Sequence, residues 1–437
     1  MLTRLTRLVA LVVALTLALA GGAVAADKVT IEYWHGFTGP DRPLMEQLIA
    51  KFNETHPDVE VKAQAIPWGT LFQQLPAAVA AGKAPDVAVV NEDVITGFIA
   101  RGAFMELTPE ILASAGIDKS RFYGSLWNTG SYKGKDYGVP IHSVALVFYY
   151  NTDMFKKAGV DINKAVSSRE EFLKAMQRLT VDKNGKHPNE PGFDPNNVEQ
   201  WGTMLPLPWM GGTIYYAFLL QNGARLVDDD ATKAVFNSPE AVEVLQFFVD
   251  LIYKYHVSPA NVTEDGSIAA FRQGKVATSF NGVWRVNDYL NQEGLKFAVA
   301  PIPKVGSKMY ATWGGSSHLV IPRTRQVDKR RQEASLKFIA WITQPEQNLF
   351  WTGAGGLPTQ PVVAQDKSFD NSPMKPVFSS LGSVFATAGF PWVSQVRGAL
   401  DEAVSSAMLG KKSPKQALDD GVKLADQQIA DAMKNIR

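Results

Sequence analysis

Between residues 28 and 90 the apolar positions switch back and forth between strand spacing and helix spacing, and an α/β lobe accommodates that alternation. Val29, Ile31 and Tyr33 share one face of a strand that Trp34-His35-Gly36 closes. From about Arg42, Leu44, Met45, Leu48, Ile49 and Phe52 recur at helical spacing, and Pro57 ends the helix. Val59, Val61, Ala63 and Ala65 alternate again. A second helix runs through Leu71, Leu75 and Val79 to Gly82, and residues 86–90 are a short apolar run suited to a buried parallel strand.

The pattern changes around Gly138-Val139-Pro140-Ile141. Residues 144–150 are strongly apolar and predict a strand closed by Asn151. A mainly helical region follows, with a polar loop over 182–197. Residues 276–280, 297–300 and 319–321 read as strands, and Leu336, Phe338, Ile339 and Trp341 as one helix face. Ser413-Pro414 pairs an N-cap residue with proline at the first helical position. It opens a last helix with the stripe Leu418, Val422, Ala425, Ile429 and Met433.

At 437 residues the chain is too long for one compact core and suits two lobes. Arg4 and Arg7 precede an apolar run over residues 8–20, and Ala23-Val24-Ala25 supplies the small residues before a cleavage point. A signal peptide over 1–25 is therefore expected, with a mature chain from Ala26. The run is shorter than the ~20 residues of a spanning helix, and no later stretch approaches that length. There are no cysteines, which excludes disulfides, thiolate catalysis, Cys-ligated zinc and a lipid anchor on an N-terminal cysteine. The expected location is the periplasm. A net charge of +1 gives no ground for a nucleic-acid or anionic-membrane partner.

Several stretches carry a family resemblance in their order and spacing. They are Trp34-His35, Lys51-Phe52-Asn53 with Pro57, Ala81-Gly82-Lys83-Ala84-Pro85-Asp86-Val87 and Asn91-Glu92-Asp93. Tyr137-Gly138-Val139-Pro140 leads to Tyr149-Tyr150-Asn151-Thr152-Asp153-Met154-Phe155, and later come Phe280-Asn281-Gly282-Val283-Trp284 and Trp313-Gly314-Gly315-Ser316-Ser317. Thr343-Gln344-Pro345-Glu346-Gln347 and Gly356-Leu357-Pro358-Thr359 complete the set. Together they resemble the extracellular solute-binding proteins of ABC importers, in the sugar-handling group that includes maltose-binding protein. The resemblance implies a two-lobed periplasmic-binding-protein fold, α/β, with a ligand cleft and hinge. It places the N-terminal lobe at 26–141 plus 312–358 and the C-terminal lobe at 142–311 plus 359–437. It further implies a carbohydrate ligand, ABC permease subunits as partners, a monomer, no cofactor and no chemistry.

A sugar offers apolar C–H faces and a rim of hydroxyls, so its site needs aromatic platforms beside groups that donate and accept hydrogen bonds. Ten tryptophans suit that need, several of them at strand ends or in loops. Trp68 lies between a proline and a glycine and is expected on a turn facing the cleft, and Trp209, in Pro-Leu-Pro-Trp-Met-Gly-Gly, in an irregular segment with the same outlook. Trp34 is expected in the lobe core, while His35 is open to either core or cleft. Glu92 and Asp93 follow a buried strand; the resemblance gives this position a carboxylate for sugar hydroxyls, and capping the next helix competes, more so for Asp93. His142 and Ser143 sit at the crossover between lobes, as ligand contacts or hinge residues. By resemblance Trp284 matches a ring-stacking position and Arg397 a segment that reaches the site, a salt bridge between helices being the other reading of Arg397. Trp313 is joined by Gly314 and Gly315, whose bare backbone lets a ligand approach N–H groups.

Other classes leave weaker traces. No Gly-x-Ser-x-Gly, His-Glu-x-x-His or Gly-Lys-Ser/Thr pattern is present, although sequence alone does not exclude the two carboxylates of a glycan hydrolase. Asp182-Lys183-Asn184-Gly185 faintly resembles a calcium loop without its spaced ligands or terminal glutamate, so no metal is expected. The basic cluster at 323–331 is expected to be solvated. The chain also resembles glycerol-3-phosphate-binding members around Asn91-Glu92 and Arg397, but those carry a tyrosine where this chain has Gly356.

Overall fold

The structure is a computed structural model that describes residues 28–378, 384–385 and 389–434; the expected signal peptide and its cleavage point lie outside the described residues. Its main sheet is built from β1 (Val29–His35), β2 (Val59–Ala65), β3 (Val87–Asn91), β4 (Gly138–Asn151), β5 (Thr278–Gly282), β6 (Phe297–Ala300), β7 (Thr312–Val320) and β8 (Val384–Phe385). The spatial order is β5-β4-β7-β3-β1-β2, with β6 also on β4 and β8 on β7. β1 is parallel to both β2 and β3, whereas β7 runs antiparallel to β3 and β4.

Helices α1 (Arg42–Thr55) and α2 (Trp68–Ala81) are the crossovers that parallel strands require. α1 buries Met45, Leu48, Ile49 and Phe52, the stripe its spacing predicts. α2 ends on Gly82 at φ 70°, a left-handed cap that glycine adopts without Cβ strain. α3 (Glu92–Ala100) leaves the carboxyl end of β3, and α4 (Trp209–Gln221), α5 (Glu264–Arg272), α6 (Lys329–Ile342), α7 (Pro345–Thr352), α8 (Val393–Met408) and α9 (Pro414–Lys434) follow.

Two strands tie the molecule together. Val139 and Ile141, early in β4, pack with Tyr33, Phe52, Val89, Phe338 and Trp351 in one core. Leu146 and Phe148, later in the same strand, pack with Phe172, Phe218, Phe280 and Leu400 in another. β7 passes between the same two cores in the other direction, with Trp313 in the second and Leu319 in the first. Two cores joined by continuous strands make the two-lobed α/β fold.

Three local expectations need correction. β7 spans Thr312–Val320 rather than 319–321, because Ser316, Ser317 and His318 are buried polar residues that a search for apolar runs passes over. Trp209 heads a helix instead of an irregular segment. The glycines that suggest a loop are there for contact: a Cβ on Gly211 would meet the Pro206 carbonyl oxygen at 2.6 Å, and one on Gly212 the Asp401 carboxylate. On α9, Met433 is exposed although Leu418, Ala425 and Ile429 are buried, since the helix outruns the core it packs on.

Candidate ligand cleft

Between the two cores lies a cavity of about 420 Å³, within the usual range for small-molecule sites. The first lobe contributes the loop after β1 (Phe37 to Asp41), the start of α2 and the β3–α3 junction; the second contributes Trp209, Glu264, Trp284, Arg285 and Trp313. This is the carboxyl end of parallel strands, where an open α/β sheet leaves its crevice.

Each lobe lays a tryptophan on a glycine at a strand end. A Cβ on Gly36 would fall 2.0 Å from the Trp68 ring, and one on Gly282 would fall 1.9 Å from the Trp284 ring, so both indoles rest against bare backbone. Trp68 is the first residue of α2 rather than part of a turn, yet it still lines the cavity, edge-on to Phe37 with centroids 5.3 Å apart. Trp284 sits in the 3-10 turn Val283–Arg285 that leaves β5. Its centroid lies 6.3 Å from Trp209 and 6.2 Å from Trp313, the latter at 87°. Trp313 is only 8% exposed and backs the other two; Trp209 is 38% exposed and offers its face.

Polar groups occupy the floor. Glu92, at the first turn of α3, is buried, and its Oε2 accepts the Ser316 N–H at 3.0 Å. Burial, then the Asp93 charge, holds its carboxyl well above the usual range. Asp93 is raised by burial and partly lowered by the Arg397 guanidinium. Ser317 Oγ donates to Asn91 Oδ1 at 2.8 Å, fixing the side chain at the head of the same helix. In the first lobe's wall, Trp351 Nε1 donates to His142 Nδ1 at 2.6 Å. Nδ1 is therefore an acceptor, and the neutral ring carries its proton on Nε2. Burial keeps the ring neutral, with its pKa lowered to about 4. Across the gap, Glu264 Oε1 stands 3.8 Å from Arg285 Nη2, and burial raises the Glu264 carboxyl. Burial likewise raises Asp41, against several backbone hydrogen bonds and the Arg285 charge.

Residues 47–377 match the family model described as bacterial extracellular solute-binding protein. The chain belongs to that family. As a solute-binding protein it is similar to the arabinooligosaccharide-binding protein of Halalkalibacterium halodurans, 26% identical over 355 residues that take in 76% of this chain and 73% of that one. It is also similar to the sn-glycerol-3-phosphate-binding periplasmic protein of Salmonella typhimurium, 26% identical over 444 residues and 96% of each chain. In fold it is similar to an ABC substrate-binding protein from Listeria monocytogenes in complex with cycloalternan, with a TM-score of 0.78 at 23% identity, over 93% of this chain and 100% of that one. Among the described residues no helix is long and apolar enough to cross a membrane.

The solute-binding protein's cavity gathers Trp68, Glu92, Asp93, His142, Trp209, Trp284 and Trp313 from the sequence expectations, and leaves five others off it. His35 is 1% exposed, with its ring between those of Tyr33 and Phe37 at 5.1 and 5.7 Å: it ends β1 on the core-facing side. Ser143 alternates to the strand face opposite His142 and Val144, and its carbonyl accepts the Leu357 N–H at 2.7 Å. Gly314 is a paired β7 residue opposite Ala145. Gly315 makes room for a side chain instead of a ligand, since a Cβ there would fall 2.0 Å from Glu92 Oε1. Arg397 lies behind the wall: Nη2 donates to Thr213 Oγ1 at 3.0 Å, pairs with Asp401 at 3.5 Å, and the guanidinium covers the Tyr216 ring at 5.3 Å. Its salt bridge runs within α8, and its link to α4 is by hydrogen bonds.

Sequence reasoning missed Phe37, Asp41, Phe72, Val144, Glu264 and Arg285 as lining residues. Arg285 follows a predicted platform directly and was findable. Asp41 follows Gly39-Pro40 in the loop after β1, and the strand-end rule that singled out Trp34-His35 reaches it when carried a few residues further.

Proposed function

We propose that this chain is the substrate-binding subunit of an ABC importer, capturing a mono- or oligosaccharide between its lobes and presenting it to the transmembrane permease. The observation that carries this reading is the cavity itself, where Trp68 and Trp284 line a space together with Glu92, Asp93 and His142. Indoles suit the C–H faces of a ring, and carboxylates make short charge-assisted hydrogen bonds to hydroxyls. Binding proteins for oligosaccharides among its relatives add support. Residues 1–25 would direct export, with cleavage after Ala25 and delivery to the periplasm, and the lobes would divide at 26–141 plus 312–358 and 142–311 plus 359–437. A ligand touching both walls stabilises the closed arrangement more than the open one, which is all that closure requires. The reading is capture without chemistry, so a panel of glycosides incubated with the protein returns intact.

A glycerol-3-phosphate ligand is the second reading, favoured by the similarity that spans 96% of both chains. Against it, a Cβ on Gly356 would fall 2.7 Å from the His142 ring, so the tyrosine of those members has no room here.

Thermal unfolding of the chain from Ala26 against mono-, di- and trisaccharides, polyols and glycerol-3-phosphate decides between them. A ligand at a hundred times its Kd stabilises by ~2.7 kcal/mol. A shift with sugars alone supports the proposal; a shift with the phosphate alone overturns it.

A further inference from the structure

Four carboxylates line the cavity, those of Asp41, Glu92, Asp93 and Glu264, against the single guanidinium of Arg285. The nearby ring leaves the imbalance as it is, and the hidden base offsets only part of it. His142 is kept neutral by burial, with its Nδ1 taken up by the Trp351 N–H. Arg397 stands outside the cavity, paired with the buried Asp401, and its charge reaches Glu92 and Asp93 from behind the wall. Even with Glu92 protonated, Asp41, Asp93 and Glu264 face one cation. That cation has Glu264 beside it on its own wall, Nη2 to Oε1 at 3.8 Å, and its Nε has no hydrogen-bond partner among the described residues. Asp93 Oδ1, meanwhile, is buried without a hydrogen-bond partner among the described residues, an acceptor awaiting a donor.

Resting on the carbohydrate reading, we propose that the cleft sorts sugars by charge. It admits neutral and amine-bearing rings and rejects phosphorylated or uronate ones, with Asp93 and Glu264 as the residues that discriminate. A hydroxyl or an ammonium that reaches the floor satisfies the unpartnered Asp93 carboxylate, the ammonium through a charge-assisted bond. A phosphate or carboxylate finds one guanidinium, Arg285, against four carboxylates, and gives up its water to meet this excess of like charge in a confined space, where such repulsion is poorly screened. Because burial raises Asp41, Asp93 and Glu264 alike, the rejection weakens as pH falls through their titration. His142, already neutral, does not reverse that trend; the Arg285 charge opposes the rise of Asp41 and Glu264, and the Arg397 charge opposes that of Asp93, without cancelling either.

Two measurements on the chain from Ala26 test the idea. The first compares glucose, galactose and mannose, and their disaccharides, with matched amino, uronate and 6-phosphate forms by thermal shift and calorimetry. Anionic forms should bind roughly tenfold or more weakly than their hydroxyl counterparts. The gap should narrow in D93N and in E264Q, and amine forms should bind at least as well as neutral ones. An anionic form that binds as tightly as its neutral counterpart overturns the proposal. The second needs no ligand. Iodide and caesium quenching of Trp209 and Trp284, isolated by difference against W209F and W284F and normalised to free N-acetyltryptophanamide, should favour caesium several-fold. E264Q, at the cavity edge, should raise iodide access. Equal normalised quenching by the two ions also overturns the proposal. If no sugar binds while the caesium preference stands, the carbohydrate reading fails and the charge sorting survives it.

Discussion

The two lobes meet the cleft with the same device in different company. Trp68 on Gly36 and Trp284 on Gly282 are each an indole laid on a glycine at a strand end. Behind Trp68 stand Phe37, Trp351 and the neutral His142, with Phe37 and Trp351 centroids 4.7 Å apart. Behind Trp284 stand Trp313 and, deeper, the Arg397–Asp401 pair under α4. A platform can thus be built by one backbone rule, while the surrounding shell decides whether the wall is tuned by buried neutral rings or by buried ions. The difference is open to attack from either side.

The largest effect is expected at Trp313. Its ring is 8% exposed and belongs to the second core, so Trp313→Ala should cost ~3–5 kcal/mol of folding stability in urea denaturation. Trp209→Ala, at 38% exposure, should cost far less. If the two losses are equal, Trp313 is a platform like its neighbours and the division into face and backing is wrong.

Arg397→Met comes next. It strands Asp93 and Asp401 without their guanidinium, and breaking a buried ion pair costs ~3 kcal/mol or somewhat more. Asp401 is raised by burial to about 6 even with Arg397 present. The variant's deficit should therefore shrink between pH 7.5 and pH 5.5 as the carboxylates take up protons. A deficit independent of pH would mean that the methylene packing on Tyr216, and not the charge, is what was lost.

Trp284→Ala and Trp68→Ala should each weaken sugar binding by ~1–3 kcal/mol, the value of one aromatic platform. Calorimetry with whichever sugar stabilises the protein gives both numbers. Should only one variant lose affinity, the symmetry between the lobes is structural and a single lobe does the gripping.

Much of this arrangement was legible. The period switches between residues 28 and 90 give the first lobe, the end of a buried strand points to Glu92, a proline- and glycine-flanked position to Trp68, and the family resemblance to Trp284. His35 was legible too: Val29, Ile31 and Tyr33 define the core face, and two residues further along that face is His35, inside the core. Gly315 was not, because a glycine that yields to a carboxylate from another strand looks the same as one that yields to a ligand. Arg397 and Asp401 were illegible as a pair with α4, since the helices that bring them together lie about 180 residues apart.

The smallest effect separates the neutral-ring wall from the ionic one by pH alone. Burial, reinforced by Arg42 and opposed by Glu46, lowers the His35 pKa to about 4, whereas an unfolded histidine titrates near ~6.5. The unfolded chain thus takes up a proton that the folded one refuses, and stability is full above pH 6.5 and falls as pH drops toward 4. At pH 5.5 one such ring costs about 1.4 kcal/mol. His142 and His318, also lowered to about 4, act in the same sense. Glu92, Asp93 and Asp401 act in the opposite one, because their raised pKa values favour the folded state as pH falls. His35→Phe should therefore flatten the acid side of the stability curve by about one histidine's share, whatever it does to stability at pH 7.5. Urea midpoints for both proteins between pH 7.5 and pH 5 give the slopes. Parallel slopes would show that His35 takes its proton inside the core, and that the first lobe's wall is no less ionic than the second's.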